Sequence, residues 1–410
     1  MLFRKLIEHV VHQGTVRVID AKGKSFTYGD GGEPHCALRL HSRWLDYKIP
    51  LVPSLFFPEA YMDGLVSFEE GGLEDFLQAI LQNGERLDGH WLVRLGAAVT
   101  RQSRRLKQYN PVGKARRNAA HHYDLSDRLY DLFLDSDRQY SCAYFTSPHG
   151  DLEQAQEDKK RHVAAKLLLD RPGLKVLDIG SGWGGLGLYL AEASGCDVTG
   201  VTLSVEQHKA SQIRVEQAGL DQRVRFRLED YRQSQGVYDR IVSVGMFEHV
   251  GPRNYDEYFS QIRNLLADGG VGLLHSIGDF GPPSPGNPFI ERYIFPGGHI
   301  PSLSEVIPAI ERAGLMVTDI EVLRLHYAET LKIWHKRFQA NRDKVAELYD
   351  ERFCRMWEFY LKACEMSFRY GGLMVFQVQI AKDLNAVPLT RDYIYDWERA
   401  ARTQRAHAAE

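Results

Sequence analysis

The sequence predicts an α/β protein: an open, mostly parallel sheet with helices on both faces, preceded by a small α+β accessory domain. Three observations predict it. From about Leu174 apolar strand-like runs alternate with helical patterns. The first of those runs ends in a glycine cluster, VLDIGSGWGG. The first hundred residues lack this rhythm.

Residues 1–98 read as the small domain. VRVID, FTYGD and CALRLHS are short strands separated by glycine turns, and GLEDFLQAILQ spaces its apolar residues as a helix does. No catalytic constellation is visible there. Residues 99–118 form a basic linker, in which Arg101, Arg104, Arg105, Lys107, Lys114, Arg116 and Arg117 occur without an intervening acid. Such a run is either a solvated connection or a patch for anionic lipid head groups, where each cation contributes about 1 kcal/mol. Residues 119–395 carry the αβ alternation, and 396–410 read as a polar tail.

Within the alternation, LKVLDIG is a strand and GLGLYLAEA the helix after it. CDVTGVT is the next strand, and SVEQHKASQIRVEQAG a polar-faced helix closed by Gly219. VRFRLED and YDRIVSVG are strands. NYDEYFSQIRNLLADGG reads as a helix with a glycine stop, and VGLLHSIG as a further strand. The aromatics Trp334, Phe338, Tyr349, Phe353, Trp357, Phe359, Tyr360 and Phe368 fall at helical spacing, so core packing is their default role.

Composition limits the function. A net charge of −3 over 410 residues gives no whole-molecule field for nucleic acid. No run of eighteen apolar residues predicts a membrane span. The start, MLFRKLIEHV, is too charged for a secretory signal. Five cysteines, Cys36, Cys142, Cys196, Cys354 and Cys364, are scattered and never form CxxC. That predicts no disulfide framework, no metal site and a reducing cytoplasm.

Gly180-x-Gly182-x-Gly184 follows a strand and opens a helix, where glycine allows a tight turn and close backbone approach to a nucleotide-like ligand. A dinucleotide site needs GxGxxG and an acid at the tip of the second strand. Here the third glycine is misplaced and the second strand ends in Val201-Thr202. Asp178 precedes the turn, and the third strand ends in Glu229-Asp230, which can serve an adenine amine. The loop suits S-adenosylmethionine better than NAD.

Several stretches together resemble the cyclopropane fatty acid synthases, including the mycolic acid cyclopropane synthases. They are HHYDLSDRLYDLFLD, YSCAYF, VLDIGSGWGG, GVTLSVEQ, MFEHVG, LLHSIG, YIFPGGHIPSL and CEMSF, spread over about residues 120–370. The N-terminal region looks like the extra domain of the longer, phospholipid-acting bacterial members. The resemblance implies a Rossmann-like S-adenosylmethionine-dependent methyltransferase fold. It implies transfer of a methyl group to the cis double bond of an acyl chain in membrane phospholipid, closing a cyclopropane ring. Tyr140, Ser141, Gly180, Gly182, Thr202, Leu203 and Gln207 are then expected at the cofactor, with Gln207 at the ribose edge and Glu229 and Asp230 near the adenine. Tyr123 is a better cofactor candidate than His122 or Asp124, whose neighbourhood suits helix capping.

The resemblance further implies a bicarbonate ion as base, held by Cys142, Glu248, His275, Tyr327 and Cys364. It also suggests a homodimer through the N-terminal domain. The sequence after Cys364 departs from the enteric members, which bears on substrate position more than on the cofactor.

The chemistry gives these residues a reason. Methyl transfer to an alkene leaves a carbocation, and ring closure needs a base held near it, away from water. A protein carboxylate at that spot could be alkylated, whereas a bound bicarbonate can leave. Glu248, His275 and Tyr327 supply an acceptor, a donor and a hydroxyl. Two anions repel, so Glu248 and bicarbonate are expected to share a proton or be bridged by His275. Both residues are expected just beyond the ends of two strands. His249 is expected to make a structural hydrogen bond. A nucleophilic role for Cys142 or Cys364 has no acyl-transfer motif behind it.

Two other readings share these residues. A fatty acid C-methyltransferase stopping at a methylated alkene uses the same cofactor site. A non-catalytic lipid-binding or S-adenosylmethionine-binding module has no need of the intact five-residue set. The expected location is the cytoplasm, peripheral to the inner face of the membrane, with anionic head groups as partners.

Overall fold

A computed structural model describes residues 2–89, 126–148 and 150–408. Tyr123, His122, Asp124 and the basic run Arg101–Arg117 lie outside the described residues. Among those described, the chain divides into two compact units. One gathers residues 2–89, 284–296 and 328–373, and the other residues 126–283, 297–327 and 374–408.

The first unit holds a four-stranded mixed sheet in the order β2-β1-β3-β4. β1 (Thr15–Ile19) pairs antiparallel with β2 (Ser25–Gly29) and parallel with β3 (His35–Leu40). β4 (Val66–Glu70) pairs antiparallel with β3. The three predicted N-terminal strands and the helix Leu73–Gln82 are present. Helix Glu351–Tyr370 packs against Pro53–Met62 and Leu73–Gln82. Phe359 meets Phe57, Phe57 stacks on Phe76, and Lys362 bridges Glu74 at 2.8 Å and Glu365 at 2.9 Å. A linear boundary at residue 98 leaves these later helices with the catalytic segment, whereas compactness groups them with the early residues. Trp334, Phe338, Trp357, Phe359 and Phe368 are buried, as core packing requires.

The second unit is built on a seven-stranded sheet, β10-β11-β9-β8-β5-β6-β7. Its strands are β5 (Lys175–Ile179), β6 (Asp197–Thr202), β7 (Val224–Leu228), β8 (Tyr238–Val244), β9 (Leu266–Asp279), β10 (Met316–Val322) and β11 (Leu373–Ala381). β9, β8, β5, β6 and β7 run parallel, and β10 pairs antiparallel with β11. Strand order reverses between β5 and β8, so the crevice beyond their carboxyl ends is where ligands bind in such sheets. Two apolar clusters flank the sheet: Phe247, Tyr258, Phe259 and Ile310 in one, Val163, Leu190, Val198 and Leu273 in the other.

Two local expectations change. Helix Tyr255–Leu265 has no glycine stop: Leu266 is already extended and opens β9, whose range takes in Gly269 and Gly270. The C-terminal residues are not merely a polar tail. Helix Asp392–Ala408 packs on helix Leu152–Lys166, with Ile394 buried and Trp397 against the second apolar cluster. Among the described residues, no helix is long and apolar enough to cross a membrane.

Candidate active site

The donor cradle starts at β5. Its Asp178 is buried, and burial pushes the carboxyl up to about 7 against the pull of the Lys159 ammonium. Oδ2 of Asp178 and Oγ of Ser181 are buried without a hydrogen-bond partner. Gly180 has φ +82°, and a Cβ there would meet Cβ of Met246 at 2.6 Å. Gly182 has φ +54° with nothing within 4 Å of an added Cβ, so the backbone presents an open side. Gly184 then caps helix Gly185–Ser194 in the left-handed conformation.

At the tip of β6, Thr202 Oγ1 donates to Oε1 of Gln207 (3.0 Å), and Gln207 N–H donates to Ser204 Oγ (3.3 Å). Thr202, Leu203 and Gln207 are thereby held together at one strand end. Glu229 follows β7, its N–H on Thr202 O (3.1 Å) and its carboxylate accepting from Ser234 Oγ (2.7 Å). Asp230 is buried and engaged by Arg232 at 2.7 Å, so its carboxylate already serves a turn.

The segment Gln139–Cys142 is braced by helix Leu152–Lys166. Gln156 Nε2 donates to the carbonyls of Gln139 (3.1 Å) and Ser141 (3.0 Å), and Lys159 Nζ donates to Ser141 Oγ (2.9 Å). Tyr140 packs edge-on to Tyr130, which packs edge-on to Trp183 of the glycine loop. These aromatic contacts tie Tyr140 and Ser141 to the cradle.

Beside the cradle lies a second centre. The turn Phe247–His249 follows β8 and carries Glu248. Its Oε1 accepts the Ile277 N–H at 2.7 Å, and its buried Oε2 has no partner. Burial pushes this carboxyl up to about 7. His275 does not follow its strand as expected. It lies inside β9, paired with Val244 of β8, because β9 runs on past the neighbouring strand end to Asp279. Burial pulls His275 down to about 3, so the imidazole is neutral. Gln377 Nε2 lies 3.1 Å from His275 Nδ1; with the amide donating there, the ring proton sits on Nε2. His249 is likewise pulled down to about 4 by burial.

Tyr327 is 8 % exposed in helix His326–Ala340. Cys142 is buried, and burial drives its thiol far up. Burial takes Cys364 up to about 12. Neither is a thiolate near neutrality, which leaves a nucleophilic cysteine without support. Cys364 belongs to the first compact unit and the other four residues of its set to the second.

Sequence reasoning missed Lys159, Gln156 and Gln377. The first two sit in QEDKKRH, which reads as a solvated face but is largely buried. Gln377 lies in an apolar strand where nothing marked it.

The profile of the mycolic acid cyclopropane synthetase family matches residues 112–378. The chain belongs to this family. It is an S-adenosylmethionine-dependent methyltransferase. It is 40% identical to the cyclopropane-fatty-acyl-phospholipid synthase of Escherichia coli (strain K12) over 333 residues, 80% of this chain and 83% of that one. A probable fatty acid methyltransferase of Pseudomonas putida is 40% identical over 287 residues, covering 67% and 73%. Among solved structures, the cyclopropane synthase MmaA2 from Mycobacterium tuberculosis superposes with TM-score 0.63 at 32% identity, covering 67% of this chain and 99% of that one. Mycolic acid cyclopropane synthase CmaA1 complexed with SAH and CTAB gives 0.62 at 35% identity over the same shares. The donor cradle fits S-adenosylmethionine: the buried oxygens of Asp178 and Ser181 lack partners, and the backbone is open at Gly182.

Proposed function

We propose that this enzyme adds a methylene group from S-adenosylmethionine across the cis double bond of an acyl chain in membrane phospholipid, forming a cyclopropane ring. The observation that carries the reading is Glu248: one oxygen fixed by the Ile277 N–H, the other buried and free, in a carboxyl raised to about 7. A carboxyl that keeps its proton near neutrality tolerates an anion beside it. Neutral His275 adds a donor. Cys142, Glu248, His275, Tyr327 and Cys364 are the proposed holders of a bicarbonate ion, which supplies a base that is not consumed by alkylation.

Tyr123, Tyr140, Ser141, Asp178, Gly180, Gly182, Thr202, Leu203, Gln207, Glu229 and Asp230 are the proposed donor contacts; S-adenosylmethionine supplies the electrophilic methyl group. The braced Gln139–Cys142 segment holds Tyr140 and Ser141 still, and burial around Glu248 keeps water from quenching a cation.

Docking is proposed at the inner face of the membrane, with the basic linker 99–118 drawn to anionic head groups and residues 1–98 serving lipid docking or dimerisation. Equal binding to neutral and anionic vesicles would remove the linker's part. A second reading, a methylated alkene, is kept because a relative as similar as the first is named a fatty acid methyltransferase.

The test incubates the protein with S-adenosylmethionine and vesicles of a cis-unsaturated phospholipid. The released fatty acids should gain one methylene by mass spectrometry. A product that resists mild hydrogenation supports the ring; one that takes up hydrogen supports the second reading; no gain refutes both.

A further inference from the structure

We propose that Lys159 is the counter-charge for the carboxylate at the amino-acid end of the methyl donor. Lys159 is 1 % exposed. A buried ammonium persists only where an anion or strong acceptors compensate it. Here Nζ donates to two neutral oxygens, Ser141 Oγ at 2.9 Å and Gln139 Oε1 at 2.5 Å. An ammonium has three N–H groups, and no carboxylate among the described residues forms an ion pair with this one.

Every neighbouring cation is spoken for. Lys160 and Arg214 pair with Asp137, Arg161 with Asp158, and Arg232 with Asp230. Lys159 feels the charges of Asp135 and Asp137 through space, but alone of this group it has no carboxylate bonded to it among the described residues.

Its position suits a ligand. A Cβ on Gly185, first residue of the glycine-loop helix, would come within 2.6 Å of Gln139 Nε2. A Cβ on Gly245, just past β8, would come within 3.9 Å of Ser141 Cβ. The two oxygens that Lys159 holds therefore border the strand ends where the sheet order reverses. Its charge reaches Asp178, Cys142 and His275. Burial pulls Lys159 down to about 8, which leaves it charged at neutral pH. S-adenosylmethionine carries an α-ammonium and an α-carboxylate. Asp178, with a free buried oxygen, suits the first, and Lys159 the second.

The inference rests on the donor being S-adenosylmethionine, but not on which acyl product forms. Calorimetry of the full chain tests it with two probes: S-adenosylhomocysteine, and 5′-methylthioadenosine, which lacks the amino-acid end. Lys159→Met should weaken S-adenosylhomocysteine on the order of tenfold to a hundredfold and leave 5′-methylthioadenosine unchanged. Lys159→Arg should fall between parent and Lys159→Met. Equal weakening of both probes means that Lys159 only braces Gln139–Cys142 and overturns the proposal, as does no weakening of either. A measurement on the parent needs no variant: decarboxylated S-adenosylhomocysteine should bind at least about tenfold more weakly than the intact compound, and equal affinity overturns the proposal. A parent that binds neither nucleoside refutes the donor site itself, whatever the acyl product.

Discussion

Lys159 and Lys166 lie on one helix about two turns apart, and each is 1 % exposed. Their surroundings differ. Lys166 bonds Glu321, with Asp319 at 3.8 Å, and burial lowers its pKa despite them. Beside it, His162 sits between Glu321 and Glu398, each at 2.7 Å. Burial favours a neutral ring there, but the two hydrogen bonds outweigh it and raise the pKa. That end of the helix is closed on itself. Mid-helix, Lys159 donates only to two neutral oxygens, and Asp178 and Glu248 each keep a buried oxygen without a partner. Buried charge that the chain satisfies is architecture; buried charge left over is a site for something else.

The largest effect that sharpens this contrast is at Glu248. Glu248→Gln should lower product formation by about 10²- to 10⁴-fold while the protein stays folded. The carboxyl is raised in the fold, so its contribution to stability is full below the ordinary value of 4.5 and is lost as pH rises through about 7. Glu248→Gln should therefore melt above the parent at pH 8 and not at pH 4.5. Identical melting shifts at both values would break the reading of Glu248 as a strained functional group.

Next comes the closed end. Lys166→Met removes one of the two groups that bond Glu321, leaving His162, and should cost about 1.5–3 kcal/mol in urea unfolding, with S-adenosylhomocysteine affinity unchanged. A loss of affinity there would erase the distinction between the two lysines.

A smaller effect is expected from Glu398→Gln, which weakens one of the two hydrogen bonds to His162 and should cost about 1–2 kcal/mol. His162 is raised above 6.5, so this stability is complete below 6.5 and disappears as pH climbs past the raised value. Parent and variant melts should converge at alkaline pH. Tyr144 stacks on His162 and His326 stacks on Tyr144, and Lys166 opposes the charge of His162, so the same melts on Lys166→Met separate the contributions.

The smallest stability change belongs to Gly182→Ala. Its φ of +54° makes a side chain cost about 1 kcal/mol, with no clash to add. Calorimetry should show S-adenosylhomocysteine weakened by more than that, because the methyl group fills the open side of the cradle.

Much of this was legible beforehand. The parallel sheet, the glycine loop and the place of Glu248 just past the end of β8 rest on local words: an apolar run, a turn that only glycine makes easily, a carboxylate at a strand end. The strand content of β9 was visible but its length was not, so His275 was placed past a strand that in fact carries it. The adenine role read for Asp230 stays a proposal; what the sequence did not show is that Arg232, two residues on, engages its carboxylate.

By itself the sequence determined the αβ order, the left-handed glycine positions and the chemistry-bearing residue types, because each depends on neighbours within a few positions. Tertiary structure alone decided that QEDKKRH is interior and that Gln377 faces His275. It also decided that the C-terminal helix closes over His162 and that residues 328–373 fold with the N-terminal sheet. Those outcomes depend on partners such as Glu321 and Glu398, 159 and 236 positions from His162. A charged helix shows no hydrophobic period by which to announce its burial; it is buried because distant carboxylates arrive to meet it.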